Sequence, residues 1–481
     1  MSLHAQLAPE AEAALLQQQR QSTITSIIIS ILSCILILLA LLYWWLEPVI
    51  SRDVDIVTYV GDKRTETRTE KPTFQRPVKH KPTRPSIANS KVIHAITRAK
   101  IALPVININV PNPSTEYGAG EDLGDDHGND IGNDSPYGGI PTDLVKRCSP
   151  EDRMNRLSNN GGNAQCEQAV MKSLRWLKKT QNTDGSWTGS NQGAMTGFAL
   201  LAFLGHCETP NSEEFGDAVT SAIVYLIGLG MKNDGRLATS PVGSHHWVYE
   251  HGIATYALAE AYTFCNSMGI NLPNLAKVTK TAGDMIIQGQ TDAGGWLYGY
   301  KSGNGGDNSV GFWQIQALKA CKHTKLWDDK HFKTVSRKAL AWLSEAQGPN
   351  GAIGYRGNPD RSPGLTGGGV LAYQMWGKSH AKEVRMGAKY IRNHTQFKWD
   401  DESSDLYYHY YNAQAMFIRG GEDWRFYNNL FRDELLQHQK ADGTWQNKNK
   451  HSGNLHMSTC LATFMLEVYY RFLPATSSAG R

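Results

Sequence analysis

The seven cysteines of this 481-residue chain include no Cys-x-x-Cys pair, so neither a zinc knuckle nor a thioredoxin-like motif is present. The formal net charge is only +4, which by itself implies no nucleic-acid partner. The acidic, Gly-rich stretch 120–134 lacks the Asp-x-Asp-x-Asp-Gly spacing of an EF-hand and reads as linker. Large apolar residues are scarce from Lys63 to Lys100, so burial there cannot offset chain entropy, and no folded domain is expected over 47–141. Charge is missing altogether between Gln21 and Leu46.

That uncharged stretch is apolar from Ile27 to Leu42 and is long enough to span a bilayer. Tyr43, Trp44 and Trp45 sit at its end, where an aromatic belt belongs. No small-residue cleavage site is evident, so residues 22–46 read as an uncleaved single-pass anchor after a short tail, 1–21. The stretch 47–141 then reads as a stalk, basic and Pro-rich from Lys63 to Lys100, acidic and Gly-rich later. A tail, one anchor, a stalk and a large C-terminal domain suggest a bacterial inner-membrane protein with that domain in the periplasm. Ser149, Pro150 and Asp152 form a helix-start signature, and the folded domain is expected over 142–475.

Within that domain a helical unit recurs six times, with a period of about 50 residues. Four copies carry Gln-x-x-x-Gly-x-(Trp or Ile): Gln181 to Trp187, Gln290 to Trp296, Gln347 to Ile353 and Gln439 to Trp445. Worn copies run from Tyr225 to Gly235 and from Tyr390 to Thr395. In each unit an amphipathic helix ends in an aromatic-aliphatic pair such as Trp176-Leu177, and a turn follows. A more apolar helix comes next, with an alanine at a matching place: Ala199, Ala257, Ala317, Ala372, Ala415 and Ala462. No unit can bury its apolar face alone, so the units must stack, as an open solenoid or a closed ring.

The motif resembles the QW-type repeats of squalene and terpene cyclases and of protein prenyltransferase β subunits. The resemblance covers roughly residues 163–472. It implies an all-α (α/α)6 toroid, with six inner helices around a cavity and six outside. It also implies an apolar, isoprenoid-like ligand. The repeat itself is expected to tie turns together and do no chemistry.

Chemistry is expected at the N-terminal ends of the inner helices. Asp307-Asn-Ser309 before Phe312-Trp313-Gln314, and Asp405 to Asn412, resemble the zinc-site flanks of prenyltransferase β subunits. Ser309 stands where that family has a Cys ligand, and Tyr408 where it has a His. His409 is one residue late, about 100° round a helix. Serine is a poor zinc ligand, so no metal and no other cofactor is expected. The Asp-x-Asp-Asp acid of squalene-type cyclases is absent, and the doublets Asp328-Asp329 and Asp400-Asp401 read as exposed turns. The thioester sequence Gly-Cys-Gly-Glu-Gln is absent as well. Asp307 remains the candidate acid, with His251, His409 and Tyr408 as candidate partners; its plainer role is a helix N-cap. Trp313, Gln314, Tyr249, Glu250, Tyr407, Tyr411 and Ser309 are candidate ligand-binding residues. The leading expectation is a binding module for an apolar ligand or an envelope protein partner. The alternative is a divergent isoprenoid cyclase or prenyl-transferring enzyme using Asp307.

Overall fold

A computed structural model describes Ser30 and residues 147–300, 303–356, 363–449 and 451–471. The expected anchor (Ser30 apart) and stalk lie outside the described residues. Among the described residues no helix is long and apolar enough to cross a membrane.

The described residues 147–471 are all helical apart from turns and one isolated bridge, Gln347 to Ile353. The first helix, α1 (Pro150–Asn159), starts where the signature predicts: the Ser149 hydroxyl accepts from the Asp152 amide at 3.2 Å. Six helical hairpins follow. Their outer helices are α2 (Ala164–Thr180), α4 (Gly216–Lys232), α6 (Leu275–Gly289), α8 (Lys330–Ala346), α10 (Lys382–His394) and α12 (Gly421–His438). Their inner helices are α3 (Gln192–Gly205), α5 (His246–Ser267), α7 (Asn308–His323), α9 (Thr366–Met375), α11 (Leu406–Arg419) and α13 (Leu455–Arg471).

The difference between the two sets is written in their composition. Outer helices carry one buried apolar stripe and, α4 apart, a charged face, so α8 buries only Phe332, Val335, Ala339, Leu343 and Ala346. Inner helices are apolar on nearly all sides, and α3 is buried from Gly193 to Gly205. Each inner helix packs on the next, and α13 packs back on α3, so the ring is closed. The six alanines all lie buried on inner helices, as the repeat predicts.

The repeat motif makes the joints. Gln181 Nε2 donates to the Gly185 carbonyl at 3.0 Å within its own turn and to Ala218 O at 2.9 Å on the next outer helix. Gln290 and Gln347 do the same toward Val335 and Glu383. Gln439 reaches Ala169 O at 2.8 Å, tying the last repeat to the first across 270 residues of sequence. The indole of Trp445 donates to Leu435 O at 2.8 Å, and Trp187 and Trp296 repeat this bond. Gly443 (φ 94°) needs the left-handed region, and a Cβ there would strike the Lys172 carbonyl of the first outer helix. Glycine is thus what lets the turn sit against its neighbour.

Cys166, Cys265, Cys321 and Cys460 are free and buried, as small hydrophobes are. Cys148 and Cys207 instead form a disulfide, with Cα atoms 5.0 Å apart. They are 59 residues apart in sequence, and only the fold brings them together. Beside them, Arg147 bonds Glu260 at 2.5 Å, and Arg471 bonds Glu467 at 3.0 Å. The chain therefore joins the ring at the C-terminal ends of the inner helices, clamped by a bond and a buried charge network.

Candidate functional site at the ring mouth

Because all inner helices run the same way, their N-terminal ends form one mouth. Two of those helices are capped by aspartate. Asp307 accepts from the Ser309 amide at 3.0 Å, and Asp405 from the Tyr407 amide at 3.0 Å. Both satisfy backbone donors that a helix start leaves orphaned. Each carboxylate then holds a second partner. Asp307 Oδ2 accepts from the Tyr298 hydroxyl at 2.8 Å and faces the Arg356 guanidinium at 3.7 Å. Asp405 Oδ2 meets His451 Nδ1 at 2.9 Å. Both aspartates are nearly buried, whereas the side chains of Arg356 and His451 are 59% and 53% exposed. Burial pushes the Asp405 carboxyl up, against the pull of His451.

A chain of hydroxyls continues from Asp307. The Ser309 hydroxyl donates to Asp307 at 2.5 Å and meets the Tyr249 hydroxyl at 2.7 Å. Tyr407 donates to the Ser309 carbonyl at 3.1 Å and accepts from the Trp313 indole at 2.9 Å. Burial raises the phenols of Tyr249, Tyr298 and Tyr407 above their ordinary range, so they stay protonated donors at neutral pH. Tyr408 is half-buried, with its ring 6.2 Å from that of His451.

The other candidates do not join this cluster. His251 accepts from the Leu237 amide at 3.0 Å and its other nitrogen faces Ala282 O at 3.1 Å, so both nitrogens are spent on backbone. His409 is likewise held between the Tyr427 hydroxyl at 2.6 Å and Ser403 O at 2.7 Å. Glu250 accepts the amides of Gly193, Thr239 and Ser240 and pins a loop. Gln314 donates to Val248 O and accepts from Tyr300. The polar atoms of Glu250, His251, Gln314 and His409 are thus held by groups outside the Asp307 cluster. These residues look functional in sequence because polar residues on apolar helices stand out, and a fold must pair them when it buries them. Among the described residues no three His, Cys, Asp or Glu side chains gather as a metal site.

Trp313 and Tyr411 belong to the core, not to a cavity wall. Trp313 stacks on Tyr410 with centroids 5.4 Å apart, and meets Phe198 edge-on at 5.4 Å. Phe464 closes the circuit, 5.5 Å from Tyr410 and 6.0 Å from Phe198. These side chains come from α3, α7, α11 and α13 and are at most 1% exposed. Aromatic rings therefore meet across the ring centre and fill it at this level. A cavity of about 460 Å³ lies elsewhere, in the α5–α6 connection, lined by Tyr262, Cys265, Asn266, Ile270 and Leu272 among others.

Tyr298, Arg356 and His451 are the site residues that the sequence reading passed over, and Asp405 entered it only as the start of the stretch Asp405 to Asn412. A signal for part of this exists: a tyrosine follows the motif's last residue by two in Trp296-Leu-Tyr298 and Ile353-Gly-Tyr355. Asp405 also repeats the place of Asp307, one residue before an inner helix.

No protein-family model and no curated protein matches this chain. Solved structures do show likeness. A protein from Actinoplanes is 13% identical, with a TM-score of 0.39, over 64% of this chain and 99% of its own. The type II terpene cyclase MstE from Scytonema, in complex with merosterolic acid A as product, is 11% identical, with a TM-score of 0.39, over 67% of this chain and 99% of its own. The apo form of that cyclase gives 11% and 0.39, over 64% and 97%. At this identity and TM-score, the helical ring is established by this chain's own hydrogen bonds and helix contacts.

Proposed function

We propose that this chain is a membrane-anchored, QW-type repeat toroid that acts as a non-catalytic binding module, with its mouth turned to a protein partner in the bacterial envelope. The observation that carries this is the filled ring centre. A cyclase must enclose a polyene within its ring, and here Phe198, Trp313, Tyr410 and Phe464 occupy that space. The mouth instead offers half-buried Tyr249, Tyr298, Tyr407 and Tyr408 beside exposed Arg356. Tyrosine and arginine are the residue types that dominate binding energy at protein interfaces. The Cys148–Cys207 disulfide supports a periplasmic ring, because disulfides persist in oxidising compartments.

The second reading, a divergent isoprenoid cyclase or prenyl-transferring enzyme, is favoured by one feature. Asp307 is a nearly buried carboxylate at the end of a hydroxyl chain through Ser309 and Tyr249. Turnover separates the two readings. The full chain is incubated in D2O with squalene and with a geranylgeranyl arene, beside its Asp307→Asn variant. Asparagine caps helices as well as aspartate does, so the variant keeps the fold. The binding-module reading predicts no deuterated cyclic product from either protein. Product from the native chain that disappears in the variant overturns it.

A further inference from the structure

Exposed apolar surface is scarce on this ring, and it gathers on one helix. Among the described residues only three large apolar side chains are exposed, Val224 at 47%, Met231 at 43% and Val242. The first two lie on α4, about two turns apart. Between Asp217 and Lys232, at its ends, α4 carries no charged residue. The other outer helices all expose charge inside their length: Lys172 on α2, Lys280 on α6, Arg337 on α8, Lys389 on α10 and Arg425 on α12. The exposed residues of α4 are Asp217, Ser221, Val224, Gly228, Met231 and Lys232. From Ser221 to Met231 they step by three, four and three residues, which is the spacing of a coiled-coil seam. Gly228 sits in this seam with nothing within 4 Å of a Cβ built there, so the ring itself does not require glycine. Gly230 differs, since a Cβ there would strike Val278 on α6. Glycine inside a helix lowers its stability relative to alanine, so Gly228 points to a contact outside the ring.

We propose that the outward face of α4 pairs antiparallel with the same face of a second copy of this chain. In one two-fold register Val224 lies opposite the copy's Gly228, and Met231 opposite the copy's Ser221. Large side chains then enter the holes that small ones leave, and the two-fold axis makes each pairing occur twice. Charge agrees with this direction. At the N-terminal end stand Glu213, Glu214 and Asp217, with Asp184 in the turn that packs on Ser221. Arg175, Lys178 and Lys179 of α2 offset part of this, Arg175 bonding Glu214 at 2.8 Å. At the C-terminal end stand Lys232 and Arg236, with Lys277 and Lys280 of α6 beside them and Asp234 and Asp284 against them. One end is left acidic and the other basic, so antiparallel pairing joins opposite charges and parallel pairing would join like ones. A lipid surface fits this face less well, because an interfacial helix presents several Lys or Arg and α4 exposes only Lys232. The pairing lies on the flank of the ring and leaves the mouth open in both copies. One helix pair buries less than the roughly 1,600 Å² of a standard interface, so the dimer is weak and reversible.

Disulfide trapping of the full chain in neutral detergent tests the pairing. In a Cys34→Ser background the remaining cysteines are buried or already bonded. Chains carrying Val224→Cys are mixed with differently tagged chains carrying Gly228→Cys and mildly oxidised. Both positions are exposed in the single ring, so the variants keep its fold. A disulfide needs Cα atoms within about 7 Å, so mixed dimers are expected at least about fivefold above those of a control pair, Val224→Cys with Ala341→Cys on the exposed face of α8. Gly228→Leu fills the hole and Val224→Glu puts charge in the seam, and each should turn dimers of the native chain into monomers in sedimentation. Equal yields from the test and control pairs overturn the proposal. So do dimers that survive both Gly228→Leu and Val224→Glu, which would place the contact elsewhere. A fluorophore on Val224→Cys that enters phosphatidylglycerol vesicles, while no mixed dimer forms, also overturns it and assigns the face to lipid.

Discussion

Replacing Trp313 by alanine should cost about 3–5 kcal/mol of stability, and indole should restore much of it. Trp313 is fully buried at the ring centre, stacked on Tyr410 and edge-on to Phe198. Those neighbours are anchored on separate helices of a closed ring, so they cannot collapse far into the gap. An unrelaxed gap adds a cavity term to the lost transfer energy. Apolar cavities stay dry and bind small apolar molecules, so an indole-sized void should take up indole. The Tyr407 hydroxyl loses its indole donor but keeps its bond to Ser309 O. Urea unfolding of the native chain and the variant, with and without indole, measures this. The expected result is a large loss of stability, with an indole-dependent rise in midpoint in the variant alone. A loss under about 1 kcal/mol, with indole inert, would mean that the centre is loosely filled and has room for a ligand.

Stability should peak near pH 6.5 and fall on both sides. His251, His409 and His456 are buried and hydrogen-bonded to backbone, and burial lowers each to about 4 from 6.5. For a lowered histidine the contribution is present above 6.5 and lost as pH falls through 4. Glu467 behaves oppositely. Burial, outweighing the Arg471 guanidinium at 3.0 Å, lifts it from 4.5 to about 8. Its contribution is present below 4.5 and lost as pH rises through 8. Between about pH 4.5 and 6.5 the unfolded chain binds up to three more protons at the histidines, and the folded chain up to one more at Glu467. The net of two makes stability rise by up to about 2.7 kcal/mol per pH unit. Above 6.5 only Glu467 remains of these four, and stability falls by up to about 1.4 kcal/mol per pH unit. Thermal unfolding across this range checks both limbs. Glu467→Gln should flatten the alkaline limb and steepen the acid limb, whose slope then comes from the three histidines alone. A flat profile from pH 4.5 to 8 contradicts the burial of these groups.

Much of the ring was legible because the repeat is local. Gln439 and Gly443 sit in a turn whose spacing recurs at Gln181 and Gly185, and helical period separates α8, with one apolar stripe, from α3, apolar all round. Closure was not legible, since the bond from Gln439 to Ala169 joins residues that no local pattern connects. The same holds for Cys148 and Cys207. The site was half legible. Asp307, Ser309, Tyr249 and Tyr407 do meet at the mouth, because a helix start gathers caps and their neighbours. His251, His409 and Glu250 stood out equally in sequence, yet the fold spends them on backbone groups and, for His409, also on the Tyr427 hydroxyl. A buried polar side chain looks the same in sequence whether it serves a ligand or a loop. Trp313 and Tyr411 misled for a related reason: aromatic residues line cavities and fill cores alike, and only cross-ring distances tell which.

The most direct test of the account is native mass spectrometry of the full chain, released from detergent after purification without chelator. A filled ring centre, and a mouth whose described residues gather no three metal-ligating side chains, predict the bare chain mass. A retained polyprenyl mass, or a zinc-sized increment lost when Asp307 is changed to asparagine, would contradict it.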